Sequence, residues 1–598
     1  MIHMMGERIR SIIKFLNKNS IGVVLLLAAV LRVGHVLSLI HLPLFESLML
    51  DSQLYDQWAQ RIADGDWIGG DSAFYMDPLY SYTLALLYRV FGHNLLLVRL
   101  FQAALGVATC GLVCSIGYRI GGKAVGTIAA LIVALYQPLI FEGAEIEKTA
   151  LGVFLITVSL AFAIQGSVAS KFGAGVSLAL AALTRGNLLL MAPFGTILFL
   201  SYTETGELRT RTLGFTERWR EMVLGRSGRS AAAFLLGFLL MLFPILWRNH
   251  HVSGEWILTT SQAGTNFYTG NNPSNESGTF SPVPFVRPSP RYEEADFRTK
   301  AEEITGRRLS SGEVSSFWFY EAIKHILQHP GFAAMVFFRK FTLFWGDFEV
   351  PDGWSIYFIR QYSPALHIAF LTLGWLLPLA VLGVIASIQV NRSVRLLVGY
   401  IAAYSFSVIA FFVYSRYRIY VVPPLAIFAA LGLRWSWEHV RGRDWRHIIP
   451  GAFVAGCVCV FSFMGVSSFV GIEPENFTHN YAHLAKLYED KGDFKSAEAL
   501  LREGMQRNPE AAPILCGLGE FYLRTGDPKQ AFIHINQCLQ EDEYFMNAWF
   551  QLGQANEGLG NIDQAILSYQ RQLEIVPGHQ FARMRLENLM TPHEKTSP

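Results

Sequence analysis

The 598-residue chain is 52% hydrophobic and only 16% charged, with a mean hydropathy of +0.30. A soluble domain carries about 25% charged residues, so the composition argues against a wholly soluble chain and for the bilayer. Lys plus Arg (49) nearly balances Asp plus Glu (47), so no global charge points to nucleic acid.

The N-terminus reads MIHMMGERIRSIIKFLNKNS and continues mostly apolar from Ile21 to Phe45. That run is too long for a signal-peptide core and no small-residue cleavage site follows, which predicts a retained first span. Crossing a hydrocarbon core takes about 20 apolar residues, and about 11 segments qualify. They lie near 21–43, 95–119, 124–141, 149–168, 171–185, 187–203, 231–247, 364–388, 394–414, 417–435 and 447–469. Two further apolar helices, 78–92 and 331–346, carry charges at their ends and read as interfacial.

Short basic segments set the orientation. Arg8, Arg10, Lys14 and Lys18 precede the first span, and six arginines from Arg209 to Arg229 crowd the loop near 204–230. Arg392 with Arg395, and Arg434 with Arg441, Arg443 and Arg446, fall on the same side. The expected topology is N-terminus inside and C-terminus outside. The opposite face then receives the segments 44–94, 142–148 and 248–363, and the tail from residue 471.

That face holds the candidate chemistry. Asp51 stands just beyond the first span, where a partly desolvated carboxylate is a candidate general base or metal ligand. A plain helix cap is the competing reading. Asp77 and Tyr80 follow in the same segment. Glu142, Glu145, Glu147 and Lys148 share a turn between two spans, where Lys148 is also the natural partner of the acids. Arg416 and Arg418 break the charge rule at an external turn, and Arg185 and Arg99 start or end spans on that face. Arginine's planar fork suits phosphate oxygens; snorkelling to headgroups or an internal ion pair is the alternative. Tyr268 and Asn271 lie in a glycine-, amide- and aromatic-rich stretch that suits sugar binding or an ordinary turn.

After residue 475 the chain repeats at a period of 34: Gly492-Asp493, Gly526-Asp527 and Gly560-Asn561, with Leu484, Leu518 and Leu552, and with Ala497, Ala531 and Ala565. This resembles the tetratricopeptide repeat, usually an interaction surface without chemistry of its own. Cys516 and Cys538 fall in this tail, and the sequence leaves their pairing open. The other four cysteines lie in apolar stretches and form no metal framework.

Taken together, residues 20–440 resemble the polytopic GT-C type glycosyltransferases, in particular those related to protein O-mannosyltransferases and the lipid A aminoarabinose transferase. The residues that carry the resemblance are Asp51-Ser52 with Tyr55 and Gly65-Asp66, Asp77-Pro78-Leu79-Tyr80, Arg99, Pro138 with the Glu142–Lys148 turn, Leu183-Thr184-Arg185, Gly270-Asn271-Asn272-Pro273, and Arg416-Tyr417-Arg418. The resemblance implies a polyprenyl-phosphate-linked sugar donor, bound from the outer leaflet, and inversion at the anomeric carbon. It maps the essential acid onto Asp51 and a second-loop acid onto Glu142, Glu145 or Glu147. Asp51 would take the acceptor's proton, while Arg416, Arg418 and Arg185, with Arg99 and Lys148 near them, would hold the departing phosphate. Asp77, Tyr80, Tyr268 and Asn271 would meet the acceptor or the sugar. No cofactor is certain and a divalent metal stays open, because Ser52 stands where some relatives carry a second acid.

The expected fold is therefore all-α: a polytopic transmembrane bundle carrying a C-terminal solenoid. Its expected parts are an inner arm at 1–20, a transferase domain at 21–470 and three repeats at 475–590. The expected site is the bacterial inner membrane with the repeats periplasmic or extracellular, and the expected partners are the lipid-linked donor, membrane lipid and a protein met through the repeats. A lipid-linked substrate transporter and a non-catalytic scaffold are the competing readings. The acids cluster at outer span ends and not at mid-membrane, which disfavours transport.

Overall fold

The computed structural model describes residues 20–201, 225–281, 283–287, 290–388, 392–470, 477–576 and 578–591. The N-terminal arm and Arg209, Arg211, Arg218 and Arg220 of the basic loop lie outside the described residues. The chain divides into two compact units, Met1–Ile40 with Leu48–Ile472, and His41–Ser47 with Glu473–Pro598. Both are helical, and no β-strand occurs among the described residues.

Among the described residues of the first unit, five helices are long and apolar enough to cross a membrane: Ser20–Leu39, Leu95–Leu135, Arg226–Ser253, Ser415–Gly442 and Trp445–Val466. Thr149–Ala163, Val168–Ala182, Gly186–Ser201 and Leu373–Ser387 are apolar but shorter. Within Leu95–Leu135 two helices part at Gly122, between the expected spans 95–119 and 124–141, and the Gly122 φ of 84° is one that only glycine adopts without strain. Lipid supplies no hydrophobic drive between helices, so close packing holds them together, and it requires small residues at the contacts. A Cβ on Gly175 would sit 1.9 Å from the Phe234 carbonyl oxygen, and one on Gly383 would sit 1.8 Å from that of Phe428. Those two glycines set how closely Val168–Ala182 approaches Arg226–Ser253, and Leu373–Ser387 approaches Val422–Gly442.

The segment between Arg226–Ser253 and Leu373–Ser387 folds into the helices Ala263–Asn271, Pro290–Thr305, Ser311–Gln328 and Pro330–Trp345. Ser310 and Glu313 form a reciprocal capping box that fixes the start of the third. Phe285, Phe297 and Trp318 pack as a small aromatic core beneath it, and that core holds Pro290–Thr305 in place.

The described residues of the second unit form three helix pairs: Thr478–Asp490 with Phe494–Arg507, Ala512–Thr525 with Pro528–Glu541, and Ala548–Gly558 with Ile562–Ile575. Gln580–Met590 follows them. Gly492, Gly526 and Gly560 take φ values of 80°, 84° and 78° at the turn inside each pair, which is why glycine recurs there. Asp493 and Asp527 cap the second helices, accepting from the Ser496 and Gln530 amides. Ala497, Ala531 and Ala565 are fully buried, as the close pairing needs. A Cys516–Cys538 disulfide, Cα–Cα 5.4 Å, ties the helices of the second repeat together.

Candidate functional site

Leu50 and Asp51 open the helix Leu50–Ala63. The N-cap is Met49, so Asp51 lies in the first turn and does not cap the helix. Leu50 adopts φ 50°, a left-handed conformation that costs a branched residue about 1–2 kcal/mol. Such strain persists only where its surroundings enforce it. Here it turns Asp51 toward Arg416, whose guanidinium lies 2.8 Å from the Asp51 carboxylate.

Arg416 belongs to the short helix Ser415–Arg418, ahead of Val422–Gly442. It also pairs with Glu147 at 2.8 Å and Asp352 at 2.5 Å. Its side chain is only 7% exposed, so one buried cation gathers three carboxylates. Burial pushes the Glu147 and Asp352 carboxyls above the usual range, and Arg416 opposes the shift. Glu142 and Glu145 are raised for the same reason. Backbone carbonyls hold the turn that carries these acids. Arg99 donates to Ala144, and the Gln102 amide donates to Gly143 and Glu145. The Arg99 guanidinium is thus spent at least in part on positioning the loop.

Asp51, Asp352 and Arg416 wall a cavity of 470 Å³, within the usual range for a small-molecule site. Asp77, Lys148 and Arg185 also line it, as do Tyr75, Asn266, Glu293 and the aromatic rings of Phe412, Tyr414 and Tyr417. Lys148 forms an ion pair with Asp77, so the lysine expected to partner the acids of its own turn instead meets an acid of the first external segment. Arg185 stacks on Tyr417, 3.7 Å from the ring centre. Among the described residues Arg185 makes no ion pair, so it is a buried cation in the cavity wall without a carboxylate of its own.

The other expected residues lie elsewhere. Arg418 is buried against Glu349 at 2.6 Å and donates to the carbonyls of Leu343 and Gly346. Tyr80 donates to Gln102. Tyr268 packs on Trp318 with centroids 4.5 Å apart. Asn271 donates to the carbonyls of Phe267 and Ala410 and accepts from Lys340. None of these four residues is in the cavity wall. Asp352 and Glu293 are in the wall but were not singled out from the sequence. Asp352 sits in Val350-Pro351-Asp352-Gly353, a turn signature that places an acid without saying what it meets.

A second cavity of 30 Å³ lies behind Asp51, walled by Glu142, Glu145, Glu147, Asp352 and Arg416. Carboxylate oxygens are the donors that a hard divalent cation takes, and Asp51, Glu147 and Asp352 would supply them. In the present arrangement the Arg416 guanidinium supplies the positive charge among these three. Elsewhere, His439, Asp444 and His447 bring donor atoms within 4.8 Å of one another.

Residues 76–214 match the family described as dolichyl-phosphate-mannose-protein mannosyltransferase, and 488–532 and 547–579 match tetratricopeptide repeats. A tetratricopeptide-repeat-containing protein of Pseudomonas aeruginosa is 27% identical over 79 residues, 13% of this chain and 75% of its own. Among solved structures, the chain is similar to ArnT from Cupriavidus metallidurans bound to undecaprenyl phosphate. The identity is 15% and the TM-score 0.41, over 92% of this chain and 80% of that one. It is also similar to the Archaeoglobus fulgidus oligosaccharyltransferase, at 13% identity and a TM-score of 0.42, over 80% of this chain and 59% of that one. With the family match in its membrane part and the repeat matches in its tail, the chain is a polytopic membrane protein that resembles the GT-C type glycosyltransferases and carries C-terminal tetratricopeptide repeats.

Proposed function

We propose that the chain transfers a sugar from a polyprenyl-phosphate-linked donor to an acceptor hydroxyl on the outer face of the membrane, with inversion. The observation that carries this reading is that one cavity has both an acid and an unpaired cation in its wall. Asp51 is the carboxylate that the resemblance marks, and Arg185 is a buried guanidinium without an ion-pair partner among the described residues. A cation aimed at the leaving phosphate stabilises the charge that grows there in the transition state. The aromatic rings of Phe412, Tyr414 and Tyr417 give the same cavity apolar faces for a sugar ring or the first isoprene unit. Arg416 holds Asp51 in place, and Lys148 does the same for Asp77.

The site faces outward in this reading, toward the bacterial periplasm or the exterior. The Cys516–Cys538 disulfide supports the same side for the tail, because disulfides persist in oxidising compartments. The repeats would then meet a protein partner or the acceptor itself.

The test is binding of undecaprenyl phosphate to the full chain in nanodiscs, comparing wild type with Arg185→Ala. Hydrogen bonds to a charged group contribute about 1.5–3 kcal/mol, so affinity should fall by about 10-fold or more. Equal affinity in the two proteins would remove Arg185 from the donor site.

A further inference from the structure

Three carboxylates besides Glu293 line the main cavity, and each has a cation. Asp51 and Asp352 pair with Arg416, and Asp77 pairs with Lys148. Arg287, also in the wall, is committed to Asp296 at 2.6 Å. Neighbouring Glu294 pairs with Arg298. Glu293 is left without a cationic partner among the described residues. It sits in the first turn of Pro290–Thr305, held by the aromatic core of Phe285, Phe297 and Trp318, and it lines the same cavity wall as Tyr75. The Tyr75 hydroxyl lies 3.3 Å from the Thr265 hydroxyl.

The environments of Asp51 and Glu293 therefore differ. Asp51 is tied to the Arg416 guanidinium at 2.8 Å. Glu293 is half-buried in the cavity wall and feels the Asp51 charge; desolvation first and that charge second raise its carboxyl to about 7, against a smaller opposing pull from Tyr75. When two carboxylates share a site and their surroundings separate them in this way, the acid–base work divides between them.

We propose that Glu293 is the general base of this site, taking the proton of the acceptor hydroxyl while Asp51, held by Arg416, orients that hydroxyl for attack. The inference rests on the transferase reading above and moves the proton-accepting role from Asp51 to Glu293. In the step, the acceptor's O–H bond breaks and its proton goes to the Glu293 carboxylate. The acceptor oxygen bonds to the anomeric carbon. The bond from that carbon to the phosphate oxygen breaks, and its electrons leave with the polyprenyl phosphate beside Arg185.

The sign of the pH dependence follows. A base must be deprotonated to act, so kcat/KM should rise with pH and level off above about 7. The experiment measures sugar release from a panel of undecaprenyl-phosphate monosaccharides by the full chain in nanodiscs between pH 5 and 9. Wild type, Glu293→Gln and Glu293→Asp are compared, and undecaprenyl phosphate binding is the check on folding and the donor site. Glu293→Gln should lose about 10²-fold or more, lose the rising limb and still bind the lipid phosphate; Glu293→Asp should recover part of the rate. A Glu293→Gln protein with the wild-type pH profile would overturn the assignment. In parallel, infrared difference spectra of the wild type should show a protonated carboxyl that titrates near neutral pH and is lost in Glu293→Gln. A carboxyl ionised throughout that range would overturn the assignment without reference to turnover. Wild-type protein inactive on every donor would instead sink the transferase reading, and the base role with it.

Discussion

The two units use ion pairs in opposite ways. In the membrane unit, charge is concentrated: Arg416, 7% exposed, gathers Asp51, Glu147 and Asp352, and Arg418, 1% exposed, meets Glu349. In the repeat unit, charge is spread along the surface at the repeat spacing. Lys486 meets Glu520, 34 residues away, and Arg524 meets both Glu489 and Asp490, with the two bases 45% and 35% exposed. Desolvation makes a buried pair costly to assemble and more costly to break, because the remaining partner is left charged and unpaired. An exposed pair gains little and is screened by salt. Buried charge of this kind is a poor way to gain stability, and around Asp51 it is what the proposed chemistry would account for. The ladder on the repeats adds only to register and solubility.

Substitutions should separate the two regions by size of effect. Arg416→Ala strands three carboxylates and should cost about 3–5 kcal/mol, read as a large drop in the detergent melting temperature together with loss of turnover. Arg416→Lys keeps the charge without the fork and should fall between; a melting temperature unchanged by Arg416→Ala would break the contrast. Next is the second repeat's disulfide. Its partners are 22 residues apart in sequence, and removing that loop constraint with Cys516→Ser plus Cys538→Ser should cost about 3 kcal/mol. The check is thermal unfolding of the full chain with and without reductant, where reductant should shift wild type alone.

Packing changes in the repeats should be smaller. A Cβ on Gly519 would lie 2.3 Å from Ile535 Cγ1, so Gly519→Val should cost about 1–3 kcal/mol by overpacking, read by chemical unfolding of the tail. Smallest is Lys486→Ala, at no more than about 1 kcal/mol and less in high salt. A loss as large as that for Arg416→Ala would show that the surface ladder is structural after all.

How much of this was legible in the sequence follows from the range of each signal. The 34-residue period exposed the repeats because glycine, leucine and alanine recur where each turn and close contact needs them. Asp51 and Arg416 stood out because each is a charge at the end of an apolar run, on the face expected to lie outside. Their pairing did not, since 365 residues separate them. The same holds for Asp77 with Lys148, 71 residues apart. Glu293 and Asp352 stayed hidden because they sit in a long polar segment where acids are common, and only the tertiary fold selects the two that face the cavity. Arg418 misled for the converse reason. Two residues beyond Arg416, it carries the same sequence signal, but the turn of Ser415–Arg418 directs it to Glu349 and backbone carbonyls.

The central claim is a lipid-dependent sugar transfer in the cavity that Asp51 walls, and its most direct test is turnover. Sugar release from undecaprenyl-phosphate monosaccharides should be measured for wild type and Asp51→Asn in matched nanodiscs, with lipid-phosphate binding recorded for both. Wild type should turn over at least one donor, and Asp51→Asn should bind the lipid phosphate yet turn over about 10²-fold slower or worse. Equal turnover by the two proteins would contradict the account and take Asp51 out of the mechanism.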